Sequence, residues 1–80
     1  MSQSVAMNVF ASNVNKVLSA NGWTKARLAK MTAMSRPGIT RILSGDENVT
    51  LPRAERIAIA IETPLSELLD PNFEIPANVT

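Results

Sequence analysis

Lys16, Lys25, Arg27, Lys30, Arg36 and Arg41 all fall within residues 1–44, which contain no aspartate or glutamate and so carry a charge of +6. A basic stretch of this length, with no carboxylate in it, suits a polyanion. Residues 45–80 reverse the balance: Arg53 and Arg56 stand against Asp46, Glu47, Glu55, Glu62, Glu67, Asp70 and Glu74, so 2 − 7 = −5, and the net charge of +1 conceals a bipolar chain. Bond-making chemistry is poorly provided for. With no histidine and no cysteine there is no catalytic imidazole or thiol, no disulfide and no usual zinc ligand set. No acid pair, no nucleophile with a base and no glycine-rich phosphate loop is present, so the expectation is a non-enzyme with no cofactor and no metal.

The elements that must position the cations are short helices. In residues 23–45, Thr24 is suited to cap a helix, with Trp23 before it placed to pack on Leu28. Leu28, Ala29 and Met31 form its apolar stripe. The pattern breaks at Ala33 and Met34, and Ser35 offers a second cap. Pro37 falls in the following first turn, where a missing N–H costs little, and Ile39, Ile42 and Leu43 form the next stripe before Gly45 ends it. Two capped helices joined by so few residues make a helix-turn-helix pattern. Ala29 is small where the two helices must approach, and Met34 can fill the corner between them.

The flanking segments read as support. Met7, Phe10, Val14, Val17 and Leu18 recur at helical spacing from Met7 or Asn8 to Ala20, with Ser12, Asn13, Asn15 and Lys16 assigned to the opposite face and Asn21-Gly22 as the stop. Its Asn and Ser residues are poor helix formers, so packing must hold this helix. After the polar loop Asp46 to Val49, Thr50 caps a helix to Glu62 whose stripe is Leu51, Ala54, Ile57, Ala58 and Ile61, with Pro52 tolerated in its first turn. A short last helix spans Leu65 to Leu69, and its leucines either seal the core or face a partner. Residues 1–70 are read as the domain and 71–80 as a tail, a dimer arm or linker, in which Phe73 and Ile75 form a docked arm, fold back on their own domain or hang loose.

At 80 residues the chain has room for one core, with about 60% of its surface buried on folding and a modest stability margin. The opening residues lack a basic region followed by an apolar run, and the longest apolar run, Ile57 to Ile61, is far too short to span a bilayer. The expectation is a soluble, cytoplasmic protein with no membrane and no small-molecule ligand.

The stretch resembles the helix-turn-helix of the lambda-repressor-like family of phage Cro proteins, phage repressors and small bacterial regulators. The resemblance is carried by Leu28-Ala29 in the first of the two helices, Met34 in the turn, Ser35 as cap, Ile39 and Ile42, and Gly45 at the close. Ala33 departs from it, since the family usually has Gly there, and alanine at a left-handed position costs roughly 1 kcal/mol. The resemblance implies an all-α, five-helix fold with the helix-turn-helix at helices 2 and 3. It also implies that Leu18 and Leu43 stand where some members bury an Arg–Glu ion pair, so the two leucines are expected to touch; an apolar replacement avoids the desolvation penalty of such a pair.

In the family's docking mode the face of helix 3 opposite Ile39, Ile42 and Leu43 enters the major groove of double-stranded DNA. Arg36, Pro37, Thr40 and Arg41 are then the base-contact candidates, with base contact favoured for Arg36 and phosphate contact favoured for Arg41. Thr24, Lys25, Ser35, Ser44, Asn48 and Thr50 are the phosphate-contact candidates, Asn48 and Thr50 because Asp46 and Glu47 replace the basic residues that many members carry in that loop. Arg27 and Lys30 are expected to add only field strength. The implied function is a transcriptional regulator, a repressor that binds a palindromic operator as a homodimer. The alternative is an antitoxin or adaptor whose acidic second half binds a partner protein.

Overall fold

A computed structural model describes residues 5–75, and all the regular structure among them is helical. Five helices follow in order: α1 (Val5–Asn21), α2 (Lys25–Thr32), α3 (Arg36–Leu43), α4 (Leu51–Ala60) and α5 (Leu65–Leu68). The expected five-helix architecture is therefore present, with α1 reaching back to Val5 and α4 and α5 ending slightly early. None of these helices is long and apolar enough to cross a membrane.

Local chemistry sets the helix boundaries. Thr24, Ser35 and Thr50 each place a side-chain oxygen on the amide three residues on, accepting from Arg27, Gly38 and Arg53 respectively. The first four helices share one ending. A residue with positive φ reverses the chain, and the following amide bonds to a carbonyl five residues back: Trp23 to Leu18, Met34 to Ala29, Asp46 to Arg41 and Thr63 to Ala58. The reversing residues are Gly22, Ala33, Gly45 and Glu62. Ala33 keeps the left-handed geometry, with φ of 59°, so its methyl is tolerated under strain and the turn is not remodelled.

That strain is open to measurement. Ala33→Gly is expected to raise stability by about 1 kcal/mol, and Gly22→Ala to lower it by about as much. At Gly22 a Cβ would meet nothing within 4 Å, so the substitution isolates the backbone term. Urea midpoints that move in the same direction for both variants would rule out backbone strain as the cause.

The core gathers Phe10, Val14, Val17 and Leu18 of α1, Leu28 and Ala29 of α2, Ile39, Ile42 and Leu43 of α3, Ala54, Ile57 and Ala58 of α4, and Leu68 of α5. Helix α3 lies against α1 and α2, α4 against α2 and α5, and α5 against α1. Leu18 and Leu43 are both buried in this core, as the packing of α1 on α3 requires. Trp23 and Met34 are half-buried against it.

Three sequence expectations need correction. Met31 is 56% exposed, because the buried face of α2 is centred on Ala29 and Thr32. Thr32 can lie in the core since its hydroxyl donates to the Leu28 carbonyl at 2.8 Å and to Ala29 at 3.2 Å, leaving no unpaired donor. Leu51 is 72% exposed: as the first residue of α4 it sits at the helix tip, on the rim of an apolar groove shared with Val49, Leu65 and Leu69. Asn13, assigned to the polar face of α1, is only 2% exposed; it flanks the stripe beside Val17 and donates to the carbonyls of Leu68 and Asp70.

Asn15 and Lys16 of that face are similarly occupied. Asn15 donates to Leu43 at 3.0 Å, and Lys16 Nζ to Phe73 at 3.1 Å, so α1 ties down the ends of α3, α5 and the segment after it. Phe73 is buried in the core and folds back on its own domain, while Leu69 and Ile75 remain partly exposed.

Candidate nucleic-acid interface

Burial of Ile39, Ile42 and Leu43 leaves Arg36, Pro37, Thr40, Arg41 and Ser44 on the outer face of α3, all exposed. Arg36, Pro37, Thr40 and Arg41 line one shallow depression. The four expected base-contact residues are therefore brought together. Gly38 faces the cap: a Cβ there would lie 2.9 Å from the Ser35 hydroxyl, so glycine preserves the bond from the Gly38 amide to Ser35 Oγ.

The expected phosphate-contact residues fall into two groups by the state of their polar atoms. At Thr24, Ser35 and Thr50 the hydroxyl oxygen accepts from a backbone amide, and the hydroxyl proton stays available for an anion beside the positive end of a helix. Ser44 differs, because its hydroxyl donates to the Thr40 carbonyl at 2.8 Å and must rotate before it can donate elsewhere. Lys25 and Asn48 are exposed, and neither side chain is bonded to another described residue.

Three features were missed by reading the chain in order. Arg27 lies 4.2 Å above the Trp23 ring, so its guanidinium is held at the start of α2 beside Thr24 and Lys25 rather than swinging freely. Arg53 and Arg56, counted with the acidic half, are carried by α4 to a cleft against the Ala33–Ser35 turn. There Arg56 Nη1 donates to the Thr32 carbonyl at 3.3 Å, fastening α4 to the negative end of α2. Position in the first turn after the Thr50 cap was the signal that could have found Arg53. The third is an ion pair, Arg41 Nε to Glu47 Oε1 at 2.7 Å, the only one among the described residues.

A capped helix, a left-handed turn and a second capped helix with an exposed basic face, braced by three further helices, define a helix-turn-helix DNA-binding domain. The model of the Cro/C1-type HTH DNA-binding domain family matches residues 13–74, and the chain belongs to that family. It is a DNA-binding regulator, and double-stranded DNA is its ligand. No curated protein and no solved structure matches the chain.

Proposed function

We propose that this domain is a repressor that binds a palindromic operator as a homodimer, reading bases from the outer face of α3. Arg36, Pro37 and Thr40 meet base edges; Thr24, Lys25, Ser35, Ser44, Asn48 and Thr50 hold the phosphates. The observation that carries the reading is the exposed basic face of α3, flanked by capped helix starts whose hydroxyl protons remain free. Arginine donates two parallel bonds to guanine O6 and N7, and threonine offers a hydroxyl together with a methyl for thymine. Occupying a site is sufficient for repression and requires nothing beyond this face. Ile75, exposed beside the docked Phe73, and the exposed Leu69 supply apolar surface for the pairing of two copies. A DNA-bound regulator works in the compartment that holds the DNA, here taken as the cytoplasm.

The test separates base readers from phosphate contacts. Arg36→Ala is expected to cost about 1 to 3 kcal/mol on the preferred duplex and to relax preference at one base pair per half-site. Lys25→Ala is expected to weaken all duplexes alike and to reduce the salt slope by about one unit. Binding titrations over single-base duplex variants measure both, with the emission of Trp23, the chain's one tryptophan, as a convenient signal. For a dimer the footprint contains two half-sites with centres about 34 Å apart. Full base preference retained by Arg36→Ala but altered by Lys25→Ala would show that α3 is not the reader. Failure to shift any duplex at low salt, with stoichiometric co-purification of a second protein, would favour the antitoxin or adaptor reading.

A further inference from the structure

The Arg41–Glu47 pair stands at the edge of the exposed α3 face, where the depression lined by Arg36, Pro37, Thr40 and Arg41 meets the cleft that Glu47 shares with Arg53 and Arg56, and the fold makes it. Helix α3 ends where Gly45 takes positive φ and the Asp46 amide bonds to the Arg41 carbonyl at 2.9 Å. This closure turns the chain back along the last turn of α3, so Glu47 meets the side chain of the residue whose carbonyl anchors the reversal. Glu47 takes Arg41 through Nε, at 2.7 Å. The terminal nitrogens Nη1 and Nη2 carry no bond to another described residue, and they are the pair that can donate together to guanine O6 and N7.

We infer that Glu47 is a specificity-determining residue that acts by positioning Arg41 as a base reader, in a manner that rests on the DNA-binding reading above. Bound at Nε, the guanidinium keeps both Nη groups available for a base edge, and the pairing biases it away from a phosphate. The carboxylate also cancels a positive charge that would otherwise attract any duplex. Because the pair is more than a third exposed on both sides, it exchanges readily and stores little stability, so its consequence lies in selectivity. Phosphate contact, favoured for Arg41 from the sequence, is thereby replaced by base contact. Asp46 provides a built-in comparison: it is the adjacent acid, exposed, and engaged in no ion pair among the described residues.

The experiment starts with wild-type protein and a pool of random duplexes of about 20 base pairs, from which a preferred sequence is enriched. Wild type, Glu47→Gln, Asp46→Asn and Arg41→Ala are then titrated on that duplex and on a scrambled one from about 50 to about 300 mM KCl. Each variant is first checked for wild-type helix content. Glu47→Gln is expected to bind the scrambled duplex about 3- to 10-fold tighter, with a salt slope steeper by about one unit, since one more cation reaches phosphate. Its preference for the enriched sequence should fall about 10-fold, at the same base pair that Arg41→Ala relaxes. Asp46→Asn removes the same formal charge one residue away and should strengthen both duplexes alike, leaving the preference intact. Equal slopes and equal preference for Glu47→Gln and Asp46→Asn would overturn the inference, reducing Glu47 to a general field effect. Relaxation of different base pairs by Glu47→Gln and Arg41→Ala would overturn it as well. If wild type enriches no sequence at all, the DNA-reading proposal fails first, and that outcome is distinguishable from the other two.

Discussion

Leu43→Ala is expected to lower stability by about 2 to 5 kcal/mol, a large share of the total available to a domain this small. Leu43 is 5% exposed in the core that also holds Leu18, at 4%, where α1 packs on α3. Truncation removes burial and leaves a cavity that cannot easily collapse, because the Asn15 side chain fixes the Leu43 carbonyl to α1 at 3.0 Å. Urea unfolding measures the loss. A double-mutant cycle with Leu18→Ala tests the pairing itself: residues in contact couple by about 0.5 to 3 kcal/mol, whereas independent sites add. An unchanged midpoint, or strict additivity, would dismiss the leucine pair as the apolar counterpart of a buried ion pair.

Asn13→Ala is expected to cost about 2 to 4 kcal/mol, although no sequence pattern marks the residue. Both hydrogens of its amide are used, to Leu68 O at 3.0 Å and Asp70 O at 2.9 Å. These carbonyls lie at the end of a helix of only four residues, Leu65–Leu68, too short to hold itself. Removal of the donors takes the Asn13 bond from the buried Leu68 carbonyl and leaves the Asp70 carbonyl only the Phe73 amide, and α5 with Phe73 loses this tether to α1. Asn13→Asp keeps the size and abolishes the donors in its ionised form, so it should be at least as damaging. Hydrogen exchange at the Phe73 amide, which bonds to the Asp70 carbonyl at 3.0 Å, should accelerate in both variants. Retained protection there would mean that α5 is held by Leu68 burial alone.

These two residues mark what could be read in advance. Leu43 belongs to a periodic stripe, and its burial follows from spacing alone. The caps at Thr24, Ser35 and Thr50, the stops at Gly22 and Gly45 and the outer face of α3 are equally legible, and all were expected. Ala33 was legible as a strained position where a slightly reshaped turn was expected, and it keeps the left-handed geometry instead. Glu62 was not, since glutamate carries no turn signal and is carried into positive φ by the reversal after α4.

The sequence by itself determined the elements and their faces: where helices start and stop, which side of α3 is apolar, and that the chain carries the pattern of a helix-turn-helix. Those features depend on interactions within about one helical turn, where spacing translates directly into geometry. Only the tertiary structure decided what the polar residues do. Asn13, Asn15 and Lys16 read as a solvated face, yet each donates to a carbonyl from 28 to 57 residues away. Arg53 and Arg56 leave the acidic half to join the turn, Phe73 leaves the tail to join the core, and Arg41 meets Glu47. A polar side chain takes its partner from whatever backbone or charge the packed helices bring within 3 Å or so, and that proximity depends on crossing angles and loop paths that no local pattern encodes.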